Sequence, residues 1–296
     1  MSPPRLLTER ANRASRELDR LSPLRIARLM NREDRRAVAA AGRAAPRIAE
    51  AVALVTRSLG SGGRLFFVGA GTSGRLGVLE AAECPPTFGT PPRLVQAIMA
   101  GGRRAVFRSR EGAEDDAAAG ARIVRARVRA GDVVVGVSAS GVTPFVRAAL
   151  AASAARGART ILVACNPRLA RPPRTDVVIT AAPGPEVLAG STRLKAGTAT
   201  KLVLNTLTTA SMAQLGKLHG NRMVDLEPRS RKLRDRAVRL VMELGRVSRA
   251  RARRLFAIGG NVRVAVVMAR TGRSATAARR ALTDAGNRLD AVIGRM

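Results

Sequence analysis

The 296-residue sequence is poor in aromatic, cysteine and histidine side chains, and each shortage removes a class of function. Tryptophan and tyrosine are absent, so the chain lacks the interleaved aromatics on which nucleic-acid bases stack. The two cysteines, Cys84 and Cys165, suit a reduced interior better than a disulfide framework. The only histidine, His219, excludes a histidine-rich metal site and, in our interpretation, a histidine-based catalytic triad.

Long apolar runs are absent too. No uninterrupted stretch approaches the roughly 18 apolar residues that a membrane helix needs, and the polar residues 1–15 lack the apolar core of a signal peptide. With 46% hydrophobic residues, the chain can nevertheless bury a core, and its length fits one large domain or a domain with a small appendage. We therefore expect a cytoplasmic protein that makes no membrane contact.

Negative charge is scarce, since 53 Lys and Arg residues stand against 21 Asp and Glu residues, for a formal net charge of +32. One interpretation is a binder of polyanions such as nucleic acid. The other is a compositional bias toward arginine, because arginines are scattered through every segment. Lysine occurs only as Lys195, Lys201, Lys217 and Lys232. With no finger, zipper or convincing helix-turn-helix signature, we favour the bias and expect only nonspecific affinity for polyanions.

Short β-branched or aromatic segments alternate with helical patterns through the middle of the chain. The strand-like segments are 64–69, 94–99, 132–138, 160–165 and 176–180. Strands that alternate with helices predict a parallel sheet covered on both faces. Residues 1–60 are expected to be mostly helical after a polar lead-in, and the chain after Gly216 almost entirely so.

The pattern also predicts a division into two domains. Residues 1–228 are expected to form the α/β domain, with a helical N-terminal arm and a core of about 55–218. Residues 229–296 are basic and mostly helical, and we expect them to form a small separate bundle.

The segment VGAGTSGRLG, residues 68–77, places three glycines between a predicted strand and a predicted helix. Their spacing, G-x-G-x-x-G, suits a phosphate held at a helix N-terminus, either of a dinucleotide or of another ligand. A dinucleotide fold also needs an acidic residue at the end of its second strand. No acid follows the strand-like segment 94–99 until Glu111, so the dinucleotide interpretation fails.

Hydroxyl side chains favour a sugar phosphate instead. Thr72 and Ser73 follow Gly71 inside the glycine turn. A second cluster of small polar residues follows the segment 132–138 and comprises Ser138, Ser140, Gly141 and Thr143. Two such turns after parallel strands can converge on one phosphate through amides and hydroxyls. Ordinary helix capping remains an alternative role for Ser140 and Thr143.

Several long segments closely resemble the N-acetylmuramic acid 6-phosphate etherases, in order over about residues 6–240. The longest are GRLFFVGAGTSGRLGVLEAAECPPTFGTPP, EGAEDD and GPEVLAGSTRLKAGTATKLVLNTLTTASM. The resemblance implies a sugar-isomerase-type (SIS) α/β fold, a doubly wound parallel sheet flanked by helices with a small helical C-terminal extension. It implies a homodimer without metal or organic cofactor. The implied reaction cleaves the lactyl ether of a sugar phosphate, N-acetylmuramic acid 6-phosphate, to N-acetylglucosamine 6-phosphate and D-lactate in cell-wall recycling.

By this resemblance the two catalytic glutamates are Glu83, in AAECPPTFG, and Glu114, in EGAEDD. We assign Glu83 as the acid that protonates departing lactate and Glu114 as the base at C2. Without the family, Glu83 lies in an apolar stretch just before a Pro-Pro stop, where a carboxylate needs a partner. Glu114 alone is typical of a solvated acidic helix start.

A further polar group either lines the sugar pocket or caps and decorates a long helix. It comprises Glu186, Ser191, Arg193 and Lys195. The chain also departs from the family pattern, because its second loop reads SASGVTPF where the family usually has AASGRTPY. Val142 thus replaces an arginine, which leaves substrate affinity and exact specificity less defined than reaction type. His219 stands where the family usually has an aromatic, and we expect it to pack rather than catalyse.

Two other functions remain open. One is a non-catalytic sugar-phosphate sensor, since the fold also serves regulatory proteins related to glucokinase regulatory protein; the presence of both Glu83 and Glu114 opposes it. The other is a nucleic-acid-binding regulator with a SIS domain. The net charge of +32 motivates it, and the lack of a base-reading motif opposes it.

Overall fold

The computed structural model describes residues 6–167, 174–228 and 230–294. Three short 3-10 turns, Leu7–Glu9, Arg13–Ser15 and Leu18–Arg20, precede the first long helices. These helices are α1 (Pro23–Arg43) and α2 (Ala45–Gly60). Each has a proline in its first turn, where the missing N–H would have no intrahelical partner anyway. The predicted helical N-terminal region is therefore present.

Five strands form one parallel sheet. They are β1 (Leu65–Gly69), β2 (Val95–Met99), β3 (Val133–Val137), β4 (Arg159–Ala164) and β5 (Val177–Thr180). The strand order is β2-β1-β3-β4-β5, and every neighbouring pair is parallel. Each observed strand agrees with a predicted segment to within one residue at either end. The predicted parallel sheet is confirmed.

Helices that follow or separate the strands cover both faces of the sheet. They are α3 (Gly71–Phe88), α4 (Arg104–Phe107), α5 (Ala117–Arg127), α6 (Pro144–Ala155) and α7 (Lys195–Gln214). Phe66 and Val68 lie in one apolar cluster with residues of α5 and α6. Leu65 and Phe67, which alternate with them and face the other way, are equally buried. The α/β doubly wound fold is therefore confirmed.

The helix α3 does not stop where the sequence suggests. It continues through Pro85 and Pro86 to Phe88. Pro85 lacks a donor, but its carbonyl still accepts a hydrogen bond from the Gly89 amide at 2.9 Å. The prolines therefore sit within the last turns of the helix instead of ending it, and Glu83 is a helical residue.

The C-terminal helices have their own apolar core. They are α8 (Arg231–Gly245), α9 (Arg249–Gly259), α10 (Val262–Thr271), α11 (Ala275–Asp284) and α12 (Leu289–Ile293). Four of them are preceded by an N-cap residue whose side chain accepts a hydrogen bond from a backbone N–H of the first turn. These residues are Ser230, Ser248, Asn261 and Ser274. Such caps satisfy amides that have no partner inside the helix. Within the described ranges, no helix has the length and apolar character needed to span a bilayer.

The chain divides into two compact units whose boundaries differ from the predicted boundary at 228/229. The first unit combines residues 1–82 with 93–209, and the second combines 83–92 with 210–296. Packing inside the second unit explains its extent. A Cβ on Gly89 would lie 2.3 Å from the carbonyl oxygen of Asp225, and the flanking Val224 and Leu226 belong to the apolar core of the C-terminal helices.

Candidate active site

The three glycines form the turn between β1 and α3 in the first unit. A Cβ on Gly69 would lie 2.6 Å from the Gly74 amide nitrogen, and one on Gly74 would lie 2.6 Å from the Gly69 carbonyl oxygen. Gly71, the first residue of α3, has φ +53°, a conformation that glycine adopts without steric cost. The turn thus presents the first amides of α3 at the carboxyl end of β1, where the helix dipole favours an anion.

The hydroxyl residues after β3 form a second turn at the same edge of the sheet. Gly69 pairs in register with Val137, so the two turns leave the sheet from adjacent strands. The hydroxyls of Ser138 and Thr143 lie 2.8 Å apart, and those of Ser138 and Ser140 lie 3.4 Å apart.

Backbone amides complete this second turn. Gly141 N donates to Ser138 Oγ at 3.0 Å, and Val142 N donates to Ser140 Oγ at 3.3 Å. The Thr143 side chain makes no capping hydrogen bond to α6 among the described contacts. Since Ser140 bonds inside the turn as well, its contacts organise the turn rather than the helix. The predicted hydroxyl cluster is thus a real local structure, and its role toward a ligand stays a prediction.

A cavity of about 110 Å³ borders the glycine turn, and its lining includes Gly71, Arg75 and Glu114. Glu114 lies in the loop before α5 with an exposed side chain. Its carbonyl oxygen accepts a hydrogen bond from the Phe145 amide at 3.0 Å, which ties the loop to the first turn of α6. The guanidinium of Arg75 donates to the carbonyls of Ala105 and Val106. The structure therefore places Glu114 on the same cavity as the glycine turn.

Glu83 lies on α3 and belongs to the second unit, whereas Glu114 belongs to the first. The apolar stretch around Glu83 suggested a carboxylate in need of a partner, but its side chain is exposed. Helical spacing explains the difference, because Cys84 and Phe88 share one face one turn apart and both are buried. The expectation of an apolar environment is wrong for Glu83. That the two glutamates serve one site stays a prediction.

The segment before α7 holds the other predicted pocket residues. The buried carboxylate of Glu186 accepts hydrogen bonds from the backbone amides of Lys195 at 3.0 Å and Ala196 at 2.8 Å. Glu186 therefore caps the N-terminus of α7. Burial raises the pKa of this carboxyl above its ordinary value, and the two hydrogen bonds, which lower the pKa, offset this rise only in part. Ser191 is half-buried, and Arg193 is exposed. For both, a pocket role stays a prediction.

Lys195 is in an unexpected environment. Its side chain is 0% exposed, and its Nζ lies 2.5 Å from Oε2 of Glu33, which is 1% exposed. The ammonium predicted to bind substrate therefore has a partner inside the protein and no surface open to a ligand. Sequence reasoning missed Glu33, although the segment that contains it, LMNREDRRAV, lies within residues 6–240, over which the chain resembles the family.

Two other side chains with catalytic potential are buried. Burial raises the pKa of Cys165 to about 11, and its Sγ lies 3.6 Å from Thr200 Oγ1. A thiol with so high a pKa is a poor nucleophile near neutral pH. Burial also lowers the pKa of His219, whose backbone pairs with Arg222 in an isolated bridge. Its position fits the predicted packing role.

Comparison with known protein sequences gives one family match and two similar enzymes. A family model described as "Glucokinase regulatory protein N-terminal SIS domain" matches residues 47–154. The N-acetylmuramic acid 6-phosphate etherase of Synechocystis sp. is 50% identical over 286 residues, which cover 96% of this chain and 94% of that protein. The etherase of Gloeobacter violaceus is 51% identical over 293 residues, covering 98% and 96%.

A solved structure, a phosphoheptose isomerase from Francisella tularensis, matches with a TM-score of 0.52 at 16% identity. The match covers 65% of this chain and 100% of the isomerase. At this level of identity the likeness concerns the fold alone.

Proposed function

Because this chain belongs to the N-acetylmuramic acid 6-phosphate etherase family, we propose that Glu83 and Glu114 are the acid–base pair of its reaction. The protein is a lyase that cleaves the D-lactyl ether of N-acetylmuramic acid 6-phosphate, giving N-acetylglucosamine 6-phosphate and D-lactate. The observation that carries this function is identity of about half over almost the full length of both proteins.

The reaction needs two groups that move protons. In the open-chain sugar the C2 proton is α to the C1 aldehyde, and the lactyl ether oxygen is attached to C3. In our proposal Glu114 removes the C2 proton, and the electron pair released from the C2–H bond is delocalised into the C1 aldehyde as an enolate-like intermediate. The intermediate then forms the C2=C3 double bond as the C3–O bond breaks and the aldehyde is restored. Glu83 protonates the departing lactate oxygen. Water then adds, its hydroxyl to C3 and a proton to C2, so that a hydroxyl replaces the lactyl group.

Accessibility of both carboxylates supports these roles. Glu114 borders the cavity beside the glycine turn with its side chain exposed, so a bound ligand can reach it. Glu83 is exposed on α3, the helix whose first residue, Gly71, forms that turn. Since both side chains face solvent, neither has to leave a packed core before it can exchange a proton.

We assign the phosphate to the two turns at the carboxyl edge of the sheet. The first amides of α3, with the hydroxyls of Thr72 and Ser73, form one side. Ser138, Ser140 and Thr143 form the other, already organised by the hydrogen bonds inside their turn. Amides and hydroxyls supply directional donors, which is consistent with Val142 occupying the position where the family usually has arginine.

The function is tested by incubating the purified protein with N-acetylmuramic acid 6-phosphate and following D-lactate enzymatically. We expect one D-lactate and one N-acetylglucosamine 6-phosphate for each substrate consumed. Unphosphorylated N-acetylmuramic acid serves as the comparison, and we expect a much lower kcat/KM because the anion contacts are lost. Failure to release any D-lactate would contradict the function itself.

The Ser138→Ala variant tests the phosphate assignment. Ser138 Oγ accepts the Gly141 amide and shares a hydrogen bond with Thr143, so its loss should loosen the turn. A hydrogen bond contributes about 0.5–1.5 kcal/mol, and we expect KM to rise up to about tenfold with little change in kcat. Ser153→Ala is the matched control, since this buried serine bonds to Ala149 O inside α6. An unchanged KM in Ser138→Ala would count against the assignment.

A cytoplasmic location, a homodimeric state and weak nonspecific binding of polyanions belong to the same proposal. Family membership and a charged, phosphorylated substrate support the location. The resemblance to SIS enzymes supports the dimer, which light scattering on the purified chain measures directly. The net charge of +32 supports electrostatic attraction of polyanions, which should vanish as salt is raised.

A further inference from the structure

A buried ion pair joins α1 to the first residue of α7 within the first unit. Lys195 Nζ lies 2.5 Å from Glu33 Oε2, and both side chains are almost completely excluded from solvent. Asn12 Nδ2 donates to the same carboxylate oxygen at 2.7 Å, and Arg36 Nε lies 3.5 Å from Oε1. Because desolvating two charges is costly unless further hydrogen bonds compensate it, the Asn12 contact is an integral part of this cluster.

Asn12 and its neighbours near the N-terminus also make hydrogen bonds to residues 185–190, the segment that leads into α7. Besides Glu33, Asn12 Nδ2 donates to the carbonyl of Pro185 at 3.2 Å. Ser15 Oγ donates to the carbonyl of Val187 at 2.7 Å, and the amide of Gly190 donates to the carbonyl of Thr8 at 3.1 Å. Residues 8–15 therefore hold residues 185–190 through three separate hydrogen bonds.

The first turn of α7 packs next to the glycine turn. A Cβ on Gly197 would lie 3.7 Å from Cγ2 of Thr72, which is ordinary van der Waals contact. Lys195 stands two residues before Gly197 and is held at both ends, by Glu33 through its ammonium and by Glu186 through its amide. A displacement of this residue would therefore move the turn that faces Thr72.

We propose that the Glu33–Lys195 pair, together with Asn12, positions the first turn of α7 and the segment 185–191 against the glycine turn. Lys195 then serves the reaction as a positioning residue and makes no contact with substrate. The expected effect of this pair on catalysis rests on the proposed function. Misplacement of binding groups by about 1 Å can cost on the order of 10²-fold in rate, so the loss of an ion pair that fixes this turn can lower turnover without any contact to substrate.

A double-mutant cycle tests this arrangement, with Lys195→Met, Glu33→Gln and the combined variant. Each single change leaves one buried charge without its partner, and we expect kcat/KM for D-lactate release to fall roughly 10- to 100-fold. The combined variant removes both charges, while the glutamine side chain that replaces Glu33 still accepts from Asn12, and we expect activity within about fivefold of the wild type. A combined variant as impaired as Lys195→Met would overturn the proposal, because it would mean that substrate needs the ammonium itself. Single variants with wild-type kcat/KM would overturn it as well.

A second readout separates this proposal from the function. Inorganic phosphate should raise the melting temperature of the wild type by occupying the turns, and the rise should disappear in the single variants and return in the combined one. If the wild type releases no D-lactate but the phosphate-induced shift follows this pattern, the function fails and the positioning role stands. A phosphate-induced shift that survives in both single variants would refute the positioning role.

Asn12→Ala provides a milder test if the charge variants do not fold. It removes no charge, and we expect KM to rise roughly three- to tenfold while the melting transition stays cooperative. Arg13→Ala is the matched control, because Arg13 is the exposed first residue of the 3-10 turn that Asn12 caps. Unchanged KM and kcat in Asn12→Ala would refute the role of the N-terminal segment.

Discussion

Replacing Glu83 with glutamine is expected to lower kcat for D-lactate release by about 10²- to 10⁴-fold, the usual contribution of a general acid. The amide cannot protonate the leaving oxygen, while it preserves the shape of the side chain. Because Glu83 is exposed, its loss should leave the melting temperature close to that of the wild type. Initial rates of D-lactate formation and a thermal unfolding curve measure both effects.

Glu50→Gln is a suitable control for this variant. Glu50 is an exposed glutamate on α2 that pairs only with the neighbouring-turn Arg47 among its described contacts. Exposed pairs of this type contribute little to stability, so we expect wild-type kcat. If Glu83→Gln keeps full activity as well, Glu83 is not the general acid.

Replacing Glu114 with glutamine should lower the rates of both proton abstraction and lactate release, again by about 10²- to 10⁴-fold. The separate acid and base roles of the two glutamates lead to a sharper prediction, which is measured in D₂O. If Glu114 is the base, Glu83→Gln still allows exchange of the C2 proton of the substrate, whereas Glu114→Gln does not. Loss of the C2–H resonance in the proton NMR spectrum follows this exchange independently of lactate release.

Asp115→Asn is the matched control for Glu114, since Asp115 is the exposed acid that follows it in the same loop. It should exchange the C2 proton and release lactate as the wild type does. Exchange that persists in Glu114→Gln and disappears in Glu83→Gln would reverse the two assigned roles. Normal turnover in Glu114→Gln would remove this residue from the mechanism.

The sheet was predictable because its signals are local. Each strand is a short apolar run, and in β1 and β3 every residue is buried, as a strand covered on both faces requires. The glycine turn was predictable for the same reason, since the spacing of Gly69, Gly71 and Gly74 reports a backbone geometry that few other sequences adopt. Because no acidic residue follows β2, the sequence also favours a phosphate ligand other than a dinucleotide, and that the turn binds phosphate stays a prediction.

What the sequence could not show are contacts between distant residues. The partner of Lys195 lies 162 positions away, so helix periodicity alone gave no means of distinguishing an interior ion pair from a substrate ligand. The extent of the second unit also depends on a contact between distant residues, because Gly89 packs on Asp225 although more than a hundred residues separate them in the chain. The environment of Glu83 depended on the rotation of α3, which the apolar composition of the segment does not determine.

The close approach of Gly69 and Gly74 limits how this enzyme can change. Any side chain at either position would push the backbone of the other away, so single substitutions there should distort the glycine turn, to which we assign the phosphate, before they alter its selectivity. New substrate preferences, natural or engineered, should therefore arise at side chains such as Val142 and Ser191. The glycine turn would keep its backbone geometry while the side chains around it change.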